Sequence, residues 1–364
     1  MQPHPCRNSV HCILPPHILD RLAKSSNPVV RNAASLQVRA AETMRAMRAV
    51  ANAVPGFVLA AAPTAAGAPK LNRLVYSQGN NQPPWSNLPG KLLRKEGQKK
   101  TIDAAVNEAY AHAGSTWRFY RRVFGRNSID DAGMPLVSSV HAGSGFNNAF
   151  WEGSQMVYGD GDGVLFLRFT RSLDVVGHEL THGVVQHTSG LVYQAQSGAL
   201  NEHFADVFGV LVRMYKKKIK VSAAKPADWL IGAQLLTPAP TRKALRSMQA
   251  PGTAYQNDPD LGDDPQPQHM SSYLHLPVTQ AGDWGGVHIN SGIPNKAFYL
   301  AATAIGGFAW ERAGRVWYEV MRNLQPNSQF ADAAHQCRVV SRGLFGSTSA
   351  EAKEIDKAWS LVGL

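Results

Sequence analysis

Apolar residues fall into three successive patterns along this 364-residue chain. Residues 17–24 and 31–50 carry helical spacing; in the second stretch Ala34, Val38, Ala41, Met44, Met47 and Ala51 recur between arginines, predicting an amphipathic helix. The segment VPGFVLAAAPTAAGAPK, 54–70, is rich in Ala, Pro and Gly and nearly free of charge, which predicts a flexible, cleavable junction. From Leu71 to about Thr170, short β-prone pieces (LVYS, PLVSSV, VLFLRF) alternate with Gly, Asn and Asp punctuation such as GDGDG at 159–163. That alternation is expected of hairpins. One amphipathic helix, 101–124, interrupts them. After Ser172 helical periodicity dominates, at 173–188, 199–217, 291–305, 308–323, 328–343 and 349–361. The expected fold is α+β: a helical N-terminal segment (1–52), a linker (53–69), a β-rich lobe (70–172) and an α-helical lobe (173–364).

With 44% hydrophobic and 17% charged residues the chain is globular, which excludes wholesale disorder, collagen and coiled coil. No run of about 18 apolar residues occurs, so no helical membrane span is expected. The opening MQPHPCRNSVHCILPPHILD lacks the basic start and unbroken apolar core of a signal peptide. The default expectation is therefore cytoplasmic, with non-classical export left open. Three cysteines, Cys6, Cys12 and Cys337, argue against a disulfide framework. The formal charge is +11, and residues 1–52 hold +5 of it, from seven basic and two acidic side chains. Two short basic runs, Arg94-Lys95 with Lys99-Lys100 and Lys216–Lys218 with Lys220, read as solvated helix ends or loops. No nucleic-acid motif accompanies them, so no nucleic-acid partner is expected.

The segment His178-Glu179-Leu180-Thr181-His182 carries the chemistry. Residues i and i+4 of a helix share a face, so both imidazoles can grip one metal ion while Glu179 stands beside the open position. A catalytic zinc site needs a third protein ligand. Glu202, in GALNEHFAD, supplies one with nineteen residues between it and His182. Asp206, one turn further on, can accept the second ring N–H of a ligand histidine. The bland alternative, a surface helix with two incidental histidines, loses its ground once Glu202 and Asp206 follow at this distance.

HELTHGVVQHTSGLVYQAQSGALNEHFADVFG resembles the core of the thermolysin-like neutral metalloproteases. The likeness continues through RNSIDDAGMPLVSSVHAGSGFNNAFWEGSQMVYGDGDG, LRSM and GDWGGVHINSGIPNKAFYL, and HCILPPHILD resembles the short, Pro-Pro-bearing propeptide of the protealysin-type subgroup. This resemblance implies a two-lobed zinc endopeptidase made as an inactive precursor, with residues 1–52 as propeptide and intramolecular inhibitor. It implies that His178, His182 and Glu202 bind one Zn²⁺ and that Glu179 is the general base. His288, oriented by Asp283, and Tyr193 would stabilise the oxyanion. Arg246 would bind a substrate carbonyl. Asn148 and the Ala149 backbone would pair with an extended peptide along an edge strand. Phe169, Val175 and Leu245, with Phe166, would line a pocket for a large apolar residue on the leaving-group side of the bond.

Some positions depart from the family. Arg213, Leu230 and Ala233 stand where carboxylates of a double calcium site are expected, so that site is predicted absent, with Arg213 substituting a salt bridge, for instance to Asp174. The acidic loop Asp258/Asp260/Asp263/Asp264 reads as solvated rather than calcium-binding, and Trp284 stands where a smaller polar residue is expected. Cys12 could either ligate the zinc in the precursor or serve as an apolar anchor, with His11 and His17 as lesser candidates for the ligand role. A zinc aminopeptidase would need a carboxylate cluster for a free amino terminus. A silent binding protein would lack Glu179, Tyr193 or His288, and all are present.

Overall fold

The computed structural model describes residues 11–38, 69–83, 85 and 87–364, His11 by its backbone alone. Cys6, the later part of the helix expected over 31–50 and nearly all of the 53–69 linker lie outside the described residues. The chain divides into two compact units, Met1–His187 with Gln234–Thr237, and Thr188–Ala233 with Pro238–Leu364.

The first unit is built on a six-stranded sheet in the order β1-β5-β6-β4-β2-β3. Its strands are β1 (His11–Cys12), β2 (Arg73–Ser77), β3 (Lys91–Lys95), β4 (Leu136–Val140), β5 (Ala149–Trp151) and β6 (Met156–Tyr158). The β2–β3 and β5–β6 pairs are antiparallel, as the hairpin pattern predicts. The β2–β4 and β4–β6 pairs are parallel, which hairpin reading misses. Parallel neighbours need a crossover connection. Between β3 and β4 that connection includes the helix α3 (Ala104–Phe124).

Two helical stretches follow β1 in the chain: α1 (Pro16–Leu22), with Pro at its first turn, and α2, helical over 28–38. α1 buries Ile18, Leu19 and Leu22. α3 starts where the Asp103 side chain accepts from Val106 N and stops at Gly125, φ 75°. It packs on β2, β4 and α4 (Leu173–Gln186). α4, although helical, belongs to this first unit and is buried from Leu173 to Val185. An apolar cluster of Trp85, Ala142, Phe146, Phe150 and Val157 supports the β5 edge, and Cys12 packs against it.

The second unit is helical: α5 (Ala195–Lys217), α6 (Asp283–Asn290), α7 (Gly292–Ile305), α8 (Ala313–Asn323), α9 (Phe330–Phe345) and α10 (Ala350–Ser360). A short antiparallel pair, β7 (Leu230–Ile231) with β8 (Arg246–Ser247), sets Ile231 opposite Arg246. Its core centres on Trp317, whose ring lies 5.1 Å from Phe298 and stacks on Trp359 at 6.1 Å. Cys337 is buried here, and burial pushes its thiol up to about 12, so it is an inert core residue. In the acidic loop, Asp258 accepts from the Asp260 and Leu261 amides and Asp264 from Gly252, Ala254 and Gln266. Those carboxylates hold the turn. No described helix is long and apolar enough to cross a membrane.

His141 ties the start of α3 to the sheet. Its backbone is left-handed (φ 55°), and its ring nitrogens face Asp160 at 2.6 Å and Asp103 at 2.8 Å. With carboxylates on both sides, both nitrogens donate and the ring is an imidazolium. The Asp160 bond, reinforced by Asp103, outweighs burial and raises its pKa to about 9. A raised histidine contributes stability that is complete below its unfolded value of 6.5 and is lost as pH rises through about 9. His141→Gln should therefore lower the unfolding midpoint at about pH 6 and converge on wild type by about pH 10. A gap constant across that range would show that ionisation is not involved.

Candidate active site

α4 approaches the sheet closely because of one glycine. A Cβ on Gly183 would meet Ile129 Cγ2 at 2.5 Å and the Trp151 ring at 3.0 Å. Its absence lets β5 reach the helix: Trp151 N donates to Glu179 Oε2 at 3.1 Å, and Trp151 Nε1 to Gln186 Oε1 at 3.0 Å. Tyr120 and Thr181 bond at 2.8 Å behind them. His178, Glu179 and His182 are each fully buried. The two imidazoles turn Nε2 toward Nε2, 3.0 Å apart.

The strand that the sequence nominates for an extended peptide already holds one. Residues of the chain's own N-terminal segment lie antiparallel on β5, His11 opposite Trp151 and Cys12 opposite Phe150. Ile13 N donates to Ala149 O at 3.3 Å, and Leu14 N to Asn148 Oδ1 at 3.4 Å. Phe169 and Val175 are fully buried in this unit, and Phe169 stacks on Phe166 at 5.8 Å.

In the second unit, the Tyr193 hydroxyl donates to Glu202 Oε1 and lies 3.2 Å from His288 Nε2. Glycine again allows the approach. A Cβ on Gly198 would strike Val287 at 2.4 Å and the Tyr193 backbone at 2.9 Å, and one on Gly285 would meet Ala195 at 3.0 Å. α6 opens with four successive left-handed residues, Asp283, Trp284, Gly285 and Gly286, at φ 53°, 52°, 87° and 78°. This turn sets Asp283 to accept from His288 N at 2.8 Å and His288 Nδ1 at 2.6 Å. Burial disfavours the imidazolium, but Glu202 and Asp283 outweigh it and hold His288 at about 9.

Arg246 is fixed by the β7–β8 ladder and by two bonds to Asp206, at 2.9 and 2.8 Å; its Nη2 is 4.0 Å from Glu202 Oε2. Leu245 is buried beside Gly232. Arg213 donates to Asp228 O at 2.7 Å. Sequence reasoning quoted His203 without giving it a role. It is buried on α5 between Asn295 and Trp317, and burial pushes it down to about 4, so it is neutral. The available signal was a polar residue on a helix otherwise buried from Ser197 to Met214.

Among the described residues one group can hold a metal ion: His178, His182 and Glu202, whose ligand atoms all lie within 4.8 Å of one another. The donor set fits catalytic zinc, since zinc–nitrogen bonds of about 2.0–2.1 Å set two imidazole nitrogens roughly 3.3 Å apart. Cys12 packs against the apolar cluster of Trp85, Ala142, Phe146, Phe150 and Val157.

An HExxH helix beside a mixed sheet, with a His-His-Glu donor group, is the pattern of a zinc metallohydrolase. Residues 69–186 match the family model described as thermolysin metallopeptidase, catalytic domain, and residues 189–364 that of the alpha-helical domain. The chain belongs to this family and is a zinc-dependent peptide-bond hydrolase. It is 48% identical over 297 residues to an extracellular metalloprotease of Pectobacterium carotovorum subsp. carotovorum, covering 81% of this chain and 82% of that one. A thermolysin of Alicyclobacillus acidocaldarius is 41% identical over 76% of this chain and 49% of its own. The precursor of protealysin, a metalloproteinase from Serratia proteamaculans, superposes with a TM-score of 0.84 at 42% identity, covering 97% of this chain and 99% of that one.

Native mass spectrometry of the full chain should find one zinc ion per molecule. Glu202→Ala should release it to a chelator concentration that leaves wild type loaded.

Proposed function

We propose that this chain is a self-restrained precursor of an endopeptidase that cuts before large apolar residues, with residues 1–52 as its inhibitor and residues 53–69 carrying the maturation cut. The observation that carries this reading is the antiparallel run of residues 11–14 along β5, His11 and Cys12 opposite Trp151 and Phe150, Ile13 N on Ala149 O and Leu14 N on Asn148 Oδ1. A substrate would need the same backbone groups, so segment and substrate exclude each other. The protealysin precursor, matched over nearly its whole length, supports the reading.

Zinc on His178, His182 and Glu202 would act as a Lewis acid and bring the pKa of water near ~7. Glu179, held by the Trp151 amide, accepts the proton of the attacking water and delivers it to the leaving amine. His288, protonated and aimed by Asp283, donates to the developing oxyanion together with Tyr193. Arg246, kept charged and in place by Asp206, binds a substrate carbonyl. Phe169 and Val175 of the first unit and Leu245 of the second, all buried and apolar, are the residues this reading assigns to the leaving-group side chain.

The double calcium site is absent in this proposal. Arg213 brings a guanidinium to Asp228, and the Asp228 carboxylate accepts from Lys225 N at 2.9 Å. The Pectobacterium relative's name supports action outside the cell, in line with the export left open above.

Intact mass spectrometry should show wild type shortened within residues 51–69 and Glu179→Ala at full length. Ile13→Pro, which removes the amide paired with Ala149, should raise peptide hydrolysis by the intact chain about tenfold. Equal activity of the two intact chains would remove the inhibitory role. Cleavage mapping on an unstructured protein should place Leu or Phe after the cut, and a spread over charged residues would contradict the apolar pocket. With zinc saturated, a calcium chelator should leave the melting temperature within about 2 °C of its starting value.

A further inference from the structure

α5 buries one polar chain whose direction is forced at every link. Trp317 Nε1 lies 2.8 Å from His203 Nε2. An indole N–H can only donate, so Nε2 is the bare ring nitrogen and Nδ1 carries the proton. Nδ1 is 2.8 Å from Asn295 Oδ1 and therefore donates to it. With its oxygen turned to His203, Asn295 presents Nδ2 to Asp206 Oδ2 at 2.9 Å. The same carboxylate receives both bonds of Arg246. Trp317, Asn295 and Asp206 are 0% exposed, His203 1% and Arg246 2%, so bulk water is not an alternative partner.

We propose that His203 is a positioning residue for Arg246, acting through the amide of Asn295 and the carboxylate of Asp206. The opposite imidazole tautomer would set a lone pair against the Asn295 oxygen. The amide would then rotate and place its own oxygen against Asp206. Two acceptors repel, and the carboxylate would turn away from the guanidinium. Trp317, at the centre of the helical core, thus fixes the orientation of a charged side chain at the site. The proposal rests on the reading of Arg246 as a carbonyl-binding group, but its first two tests do not need that reading.

Those tests use nitrogen NMR of the full chain. Two-bond ¹H–¹⁵N correlation should find His203 protonated on Nδ1 and bare on Nε2, and the opposite tautomer overturns the proposal without any variant. The Arg246 Nε–H resonance should be slowly exchanging in wild type. It should shift or vanish in His203→Phe, which keeps a ring but no donor, and return in His203→Asn, whose amide N–H can replace Nδ1–H. An unmoved signal in folded His203→Phe sinks the idea.

The third test is kinetic and needs the carbonyl-binding reading. Loss of a uniform carbonyl contact should raise KM about tenfold in His203→Phe with kcat within about twofold. A merely structural role would lower apparent kcat at constant KM and would contradict positioning. An intact NMR chain with unchanged KM would leave His203 in place and discard the role of Arg246.

Discussion

Complete burial of His178, Glu179 and His182 on one helix is the constraint from which the rest of the first unit follows. A buried imidazole or carboxylate is costly unless every polar atom finds a partner. The chain meets that demand with backbone. β5 brings the Trp151 amide to Glu179, and it can do so only because Gly183 leaves no Cβ between helix and strand. The sheet is therefore more than a scaffold, since the Trp151 amide on β5 orients the Glu179 carboxylate. The histidine pair is met differently. Two ring nitrogens 3.0 Å apart can share one proton or hold one cation. The second choice uses both lone pairs, which is why an i, i+4 pair buried in this way is a metal grip first and a hydrogen bond second.

That same edge explains the placing of the N-terminal segment. β5 has β6 on one side, so its other side is a row of open backbone groups. An open edge accepts any extended chain, and proteins cover such edges. Here the cover is the chain's own HCIL, held by two backbone pairings, by the Leu14 amide on Asn148, and by Cys12 against Trp85, Phe146 and Phe150. The Cys12 thiol adds apolar contact without filling an enclosed core position. Ile13 and Leu14, at 0% and 1% exposed, add buried apolar surface to the same cover.

Much of this was legible in the sequence. Period-3.6 runs located α3 and α4 to within a few residues, because both bury one face continuously and carry recognisable ends, Asp103 and Gly125 in the case of α3. HExxH with a spaced glutamate picked out the three residues that could hold a metal ion, because helical geometry alone aligns i and i+4. The parallel pairings were not legible. LVYS and PLVSSV look the same whether their neighbours run with or against them, and only the crossover through α3 decides. β1 was missed as a strand since two residues carry no period; its partner defines it. α5 starts at Ala195, four residues before the helical periodicity at 199–217, and Gly198 lies inside that extra turn. In the fold it is a contact residue, small so that Tyr193 can stand close.

The turn from Asp283 to Gly286 shows how local preference yields to the site. Left-handed backbone costs a non-glycine residue roughly 1–2 kcal/mol, and here both Asp283 and Trp284 adopt it. Glycine at 285 and 286 bears half the turn freely, and the remainder is offset by what Asp283 gains. One carboxylate accepts from the His288 and Ile289 backbone amides and from the His288 ring. Those bonds exist only in this backbone conformation, since a right-handed Asp283 would aim its carboxylate away from residue 288. Strain, cap and imidazole orientation are thus a single arrangement. The Trp284 amide closes a turn on Thr279. A bulky residue kept in a conformation that glycine or asparagine would take more cheaply marks the position where the demands of the turn and those of the side chain part company.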